Sequence, residues 1–179
     1  SMNVSATGSA NTAVGSQVLL VATGDNNVAV GFYSMAATTS GNANVAIGAY
    51  TLDANTTGIH NVAIGQQAMT TSTGAHYCVA VGYKALETNT GHYNVAIGRH
   101  AMKANTSAER NTALGYDSML TNTTGNYNTA LGMHALQYNS TGTHNTALGY
   151  GAMDASTTGT ENVAIGSGAL DAVNTGSGN

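Results

Sequence analysis

Proline and tryptophan are absent from the 179 residues, phenylalanine and cysteine occur once each, and only 7% of residues are charged. Each scarcity removes a class of protein. A chain so poor in charge and proline lacks the profile of a charge-rich disordered segment. With four Lys plus Arg and a net charge of -4, there is no basic stripe for phosphates, which argues against nucleic acid as a partner. Cys78, being alone, cannot form an intrachain disulfide. No apolar run approaches the roughly 20 residues of a membrane-spanning helix, and the N-terminus does not read as a secretion signal. This segment is therefore expected to make no membrane contact.

What is present is one short unit used repeatedly. Near-copies of Asn94-Val95-Ala96-Ile97-Gly98 open at Asn11, Asn27, Asn44, Asn61, Cys78, Asn94, Asn111, Asn128, Asn145 and Asn162, at intervals of 17 residues except for 16 after Asn11 and after Cys78. A fixed short period is the signature of a repeat architecture. The second position is Val or Thr, the third Ala, the fourth Val, Ile or Leu, and the fifth Gly. That reads as a strand ended by a turn. The sixth and seventh positions vary freely and read as a solvent-facing corner. The ninth is always Leu or Met, and a second period-2 segment is expected there, with the ninth and eleventh residues inward and the eighth and tenth outward. A tract of Asn, Ser and Thr running into Gly, as in Asn122-Thr123-Thr124-Gly125, closes the unit with turn-forming residues.

Strand, corner, strand, corner makes one coil, so the chain is expected to be all-β: a parallel solenoid of about ten 17-residue coils stacked about 4.8 Å apart. Low charge suits this, because stacked identical charges repel whereas stacked Asn amides hydrogen-bond one to the next. Residues 1–179 are read as a single repeat domain, Ser1-Met2 as a cloning remnant, and the whole as a segment of a longer fibre, since Asn179 would open another copy. Two irregularities stand out. Thr at the second position accompanies Leu at the fourth in Thr112/Leu114, Thr129/Leu131 and Thr146/Leu148, which suggests joint packing in one interior column. Gly74 also arrives one residue early, which predicts locally irregular corners around Cys78.

A two-strand coil buries little on its own, so association is expected. If Val95 and Ile97 point inward, Ala96 points out, and an Ala on an open face is explained by close approach of another chain. On that reading Ala29, Ala46, Ala63, Ala80, Ala96, Ala113, Ala130, Ala147 and Ala164 form the contact between chains. The opposite assignment, with Ala96 inside and Val95 and Ile97 in the interface, stays open.

Catalysis needs unlike residues converging in a pocket, and a rod of ladders offers none, so no enzymatic activity and no cofactor are expected. His60, His76 and His144 fall two residues after the turn Gly, in a column shared with Tyr93 and Tyr127, while His92 lies one residue after its Gly. No acidic or Cys partners accompany them at regular spacing, so exposed corner histidines are expected in place of a metal site. Recognition is better placed on the tyrosines. Tyr83, Tyr116 and Tyr150 share the sixth position, and Tyr33 and Tyr50 share the seventh with His100 and His134. Aromatic rings should line one corner as a ligand surface for protein or glycan.

Units such as Asn94-Val95-Ala96-Ile97-Gly98, Ala101-Met102 and Thr123-Thr124-Gly125 resemble the head repeats of YadA-like trimeric autotransporter adhesins, and related repeats in phage tail fibres and other bacterial trimeric fibres. The resemblance covers Asn11 to Asn179, although the commonest repeat in such heads is somewhat shorter. It implies a left-handed parallel β-roll, a side-by-side homotrimer around a threefold axis, and attachment to a surface or host cell. It also implies an extracellular location, on a bacterial surface anchored through other regions or on a virion tail fibre. The alternatives are a tail-fibre shaft acting as a spacer, and an ice- or glycan-binding solenoid presenting its Thr-bearing corners, whose tracts are expected to shift register.

Overall fold

The computed structural model describes residues 7–171 and 175–179, so Ser1-Met2 lie outside the described residues. Ten three-residue strands follow the repeat: β1 (Thr12–Val14), β2 (Val28–Val30), β3 (Val45–Ile47), β4 (Val62–Ile64), β5 (Val79–Val81), β6 (Val95–Ile97), β7 (Thr112–Leu114), β8 (Thr129–Leu131), β9 (Thr146–Leu148) and β10 (Val163–Ile165). They form one parallel sheet in chain order, β1 to β10. Like pairs with like, as in Val95↔Thr112, Ala96↔Ala113 and Ile97↔Leu114. The chain is therefore a β-solenoid that winds nine turns from the first strand to the last.

Stacking is specified by side-chain amides as much as by backbone. Asn44 uses its full hydrogen-bonding capacity inside the rod. Its Oδ1 accepts from the backbone N–H of Asn61 at 3.0 Å and from Asn61 Nδ2 at 3.1 Å. Its Nδ2 donates to Asn27 Oδ1 at 3.2 Å and to the Gly58 carbonyl at 2.8 Å. Two donors and two accepting lone pairs are all a carboxamide has. The same row runs on through Asn111, Asn128, Asn145 and Asn162 to Asn179. A second buried row, Asn89, Asn105, Asn122 and Asn139, stands at the twelfth position, each amide bonded to a neighbour in the row and to the turn carbonyl that follows it.

The strand faces are reversed relative to the preferred expectation. Ala96 is wholly buried within its own coil, as are Ala29, Ala46, Ala63, Ala80, Ala113, Ala130 and Ala147, with Ala164 nearly so. Val95 is half-buried and Ile97 exposed. The Ala column therefore lines the coil interior and is not a surface for a neighbouring chain. Thinness is the reason: between the strand and the opposite wall sit the buried Leu and Met of the ninth position and the two amide rows, which leaves room for a methyl group only. The Thr/Leu and Val/Ile pairs lie on the outer face, so their covariation does not come from packing in the coil interior.

The opposite wall is not a second strand. Residues 49–54 form turns, and the backbone at Tyr50 and Leu52 is left-handed, with φ of 56° and 50°. Left-handed residues recur at the seventh position (Lys84, His100, Asp117), the ninth (Leu86, Met102, Met119) and the seventeenth (Tyr77, Arg110, Tyr127), with Tyr93 at the end of the shortened coil. Hydrogen bonding between coils is kept nonetheless, alternately backward and forward: Tyr50 N–H donates to Phe32 O at 2.8 Å and Leu52 N–H to Ala68 O at 3.1 Å. Because of these bends the eighth residue, expected outside, is buried together with the ninth, as Thr51, Ala68, Ala85 and Ala101 show. The eleventh, expected inside, is only half-buried at Ala54 and Ala104. The left-handed region is hostile to β-branched side chains. Accordingly no Val, Ile or Thr occupies the seventh, ninth or seventeenth position in any described coil, in a chain otherwise rich in Val and Thr.

At the fifth position Gly98 has φ of 138°, and a Cβ there would lie 2.6 Å from the carbonyl carbon of Gly115 in the next coil. The early Gly74 leaves the strand register intact, and the irregularity around Cys78 is confined to side-chain bonding, with Asn94 Nδ2 on Asn89 Oδ1. Ala75 takes the turn position usually held by Gly, and Val79 still pairs with Val95 across the shortened coil.

These bends give a sharp expectation for the ninth position. Met102→Leu keeps an unbranched Cβ and should cost less than about 1.5 kcal/mol. Met102→Ile conserves hydrophobicity but places a β-branched residue at φ of 51°, and should cost roughly 1–3 kcal/mol more. Thermal or urea unfolding of the two variants distinguishes them, and equal stabilities would refute the conformational argument.

Candidate functional site

The two corners beside the strand carry the side chains capable of recognition. At the sixth and seventh positions the expected tyrosines and histidines fall into two groups. Tyr33 stacks on Tyr50 with ring centres 5.6 Å apart, and Phe32 packs edge-on against both. The coil opened by Asn61 interrupts the row with Gln66-Gln67. The second group runs Tyr83, His100, Tyr116, His134, Tyr150. Tyr83 and His100 are tilted at 5.5 Å, Tyr116 and His134 meet edge-on at 5.5 Å, and His134 and Tyr150 do so at 6.0 Å. Sequence columns thus located all seven candidate residues on one edge but did not show their separation into two clusters.

Arg99 belongs to this second group and was not among the expected site residues. Its guanidinium carbon lies 5.9 Å from the Tyr83 ring centre and 5.2 Å from that of Tyr116, and Nη1 donates to Tyr116 Oη at 2.8 Å. His100 Nδ1 is 3.1 Å from Asp117 Oδ1. Burial and the neighbouring Arg99 charge outweigh Asp117 and hold the His100 pKa below its ordinary value of 6.5, so near neutral pH this contact joins a neutral imidazole to a carboxylate.

The corner preceding the strand holds a longer aromatic stack at the seventeenth position. His60, Tyr77 and Tyr93 lie nearly parallel at 5.2 and 5.3 Å. Arg110 sits 5.3 Å from the Tyr93 ring centre and 5.5 Å from that of Tyr127, and Tyr127 stacks on His144 at 4.8 Å. Counting from the turn Gly placed His76 in this column. The structure instead aligns His76 with His92 at the sixteenth position, because Ala75 and not Gly74 holds the turn. The two rings stack at 4.8 Å. Ile59 N–H donates to His76 Nδ1 and His76 N–H to His92 Nδ1, both at 3.1 Å. An imidazole nitrogen that accepts a backbone N–H carries no proton, so the His76 ring is held neutral with hydrogen on Nε2.

Cys78 interrupts the buried amide row. Its N–H still donates to Asn61 Oδ1 at 3.0 Å, but no amide continues from it, and Asn94 Nδ2 turns to Asn89 Oδ1 at 3.2 Å. Burial pushes the thiol pKa up, which leaves Cys78 an unreactive packing group. Thr and Ser recur at the thirteenth position and form two hydroxyl ladders, from Thr23 to Thr56 and from Thr90 to Ser140. Their hydroxyls donate to the next coil's carbonyls, as Thr39 does to Thr56 O at 2.9 Å and Thr106 to Thr123 O at 2.9 Å.

Among the described residues no three His, Cys, Asp or Glu side chains converge on one point, and no pocket opens. No helix is long and apolar enough to cross a membrane. What the surface offers is linear: an aliphatic sheet face and two aromatic ridges. No family model, no curated protein and no solved structure matches the chain.

The histidine pair sets a pH dependence. Burial, with His92 second, lowers the His76 pKa below its ordinary 6.5, so the unfolded chain binds the proton more tightly than the folded one. Stability contributed by neutral His76 is therefore complete above about pH 6.5 and is lost as pH falls below it. Asp53 and Asp154, raised by burial, act in the opposite sense and at lower pH. The melting temperature should drop between pH 7 and pH 5. His100, also lowered by burial, adds to the drop, so His76→Gln should flatten part of that slope, and an unchanged slope in the variant would contradict the assignment.

Proposed function

We propose that this chain is a segment of a trimeric extracellular fibre that serves in attachment, with its sheet face as the contact between chains. One observation carries the reading: the outward aliphatic stripe of β1–β10. Ile97 is 37% exposed, Leu114 47% and Ile165 68%, and every strand adds a Val, Ile or Leu at the same place. Among the described residues nothing covers this stripe. A contiguous apolar face running the length of a rod marks an association surface. Its repetition along a parallel ladder suits a partner with the same repeat, that is, another copy of this chain. The resemblance of the repeat to YadA-like heads supplies the threefold arrangement and the left-handed winding. The contact residues on this reading are those of the second and fourth positions, in place of the Ala column.

A shaft acting only as a spacer in a phage tail fibre would use the same face in the same way. The exposed aromatic ridges favour attachment, since a plain spacer has no need of them. An ice-binding reading has less support, because the aligned Thr hydroxyls are committed to backbone carbonyls.

Light scattering of the purified segment should give three times the chain mass of 17.9 kDa. Leu114→Lys places a charge on the stripe and should yield folded monomers. Ala96→Leu instead overfills the coil and should lower the melting temperature by several degrees, as expected for an overpacked interior costing about 1–3 kcal/mol. A stable wild-type monomer would refute the proposal.

A further inference from the structure

All four Lys and Arg residues of the chain lie between positions 84 and 110, on two adjacent coils, where two carboxylates, Glu87 and Glu109, accompany them. A chain of net charge -4 thus carries one band of local positive charge. Within the band, three cations are already paired. Lys84 and Lys103 lie 2.8 and 3.7 Å from Glu87, and Arg110 lies 3.0 Å from Glu109. Among the described residues Arg99 alone has no carboxylate partner, although it is exposed. It is also held in place. Tyr83 and Tyr116 sandwich the guanidinium, and the bond to Tyr116 Oη fixes its rotation about the stack. A planar fork fixed in this way has donors left over for a two-point bond to an oxyanion, at little further loss of side-chain freedom.

The surroundings narrow the class of partner. Backbone groups at this corner are spent between coils: Gly98 N–H on Val81 O, His100 N–H on Tyr83 O and Asp117 N–H on Arg99 O. An extended peptide would find no strand edge to pair with. The rings are tilted or edge-on to one another, with interplanar angles of 44° for Tyr83/His100 and 71° for Tyr116/His134, so the ring faces turned away from Arg99 are not stacked on these histidines. In the other corner, angles of 9° and 0° leave the faces of Tyr77 and Tyr93 covered by their neighbours. Open aromatic faces, phenolic hydroxyls and one fixed guanidinium on a straight ridge suit pyranose rings that bear carboxylates.

We propose that the Tyr83–Arg99–Tyr116 ridge is a docking site for a polysaccharide strand containing uronic acids, laid along the rod with a carboxylate on Arg99. The inference deepens the attachment reading and rests on it for the ridge being a contact surface, but it does not require the trimer. Repetition of the site on each chain of an assembly multiplies a weak contact through avidity.

The test is binding of the full chain to immobilised polygalacturonate, with neutral dextran and polyglutamate as comparison surfaces and light scattering alongside. Retention should be specific to polygalacturonate and lost at high salt. Arg99→Gln should weaken it about ten-fold or more, and Arg99→Lys should fall between, because an ammonium cannot make the two-point bond. Arg110→Gln, with its cation already on Glu109, should retain binding within about two-fold. Unchanged melting temperatures exclude misfolding as the cause. Equal retention on dextran or polyglutamate, or an Arg99→Gln variant that binds like the wild type, overturns the inference. A monomer that binds in the expected way keeps this inference and removes the trimer, whereas a trimer that fails to bind removes this inference alone.

Discussion

The buried Asn amide at the first position is the interaction on which the rest of the rod depends. A solenoid coil this thin cannot hold its register by apolar packing alone, since its interior is one Leu or Met, one or two Ala and the amides. A carboxamide solves the problem because it is both donor and acceptor along the stacking direction. In Asn44 it also ties the turn carbonyl at Gly58 and the next coil's backbone N–H at Asn61. Each of those groups would otherwise be buried unpaired, at a cost of about 1–3 kcal/mol apiece. A coil slipped by one residue would leave all of them unpaired at once. Cys78 shows the limit of tolerance: one coil can lose the amide if a twelfth-position Asn89 stands close enough to accept the side-chain N–H of Asn94.

Where the second row is interrupted, the interior is visibly less well satisfied. Ser72 and Ser156, which replace Asn at the twelfth position, leave their hydroxyls without a partner, and Asn139 Oδ1, which faces the Ser156 coil, is unpaired as well. The first row thus sets the register and the second row supplements it.

Much of this architecture could be read from the sequence, because period, strand and turn all repeat in the same frame. The inward Leu and Met of the ninth position and the stacking of Asn were evident for the same reason. The orientation of the strand was not, since a three-residue strand offers alternation over one step only. Either Ala96 or the pair Val95 and Ile97 could have been inside, and only the thickness of the coil, a three-dimensional quantity, decides. The left-handed columns were written in the sequence in negative form: Leu52, Met69 and Leu86 stand where Val or Ile would serve equally well as apolar filler. The same holds for the ridges. Tyr83, Tyr116 and Tyr150 share a column that is visible by counting, but the placing of His76 opposite His92 requires knowing that Ala75 takes a glycine's turn.

The scarcity of charge and the position of the charges that remain have one cause. In a rod whose coils are in register, a side chain's nearest neighbours are its own column-mates about 4.8 Å above and below, so a repeated cation would face itself. Arg99 and Arg110 escape this by being interleaved with tyrosines, each guanidinium lying between two rings and bonded to one hydroxyl. Such a sandwich can occur only where the repeat is broken, because it needs unlike residues in consecutive coils. Sites that recognise a partner through charge must therefore sit at departures from the repeat, and the repeated frame of Asn, Ala and Gly serves to hold those departures at fixed distances along the rod.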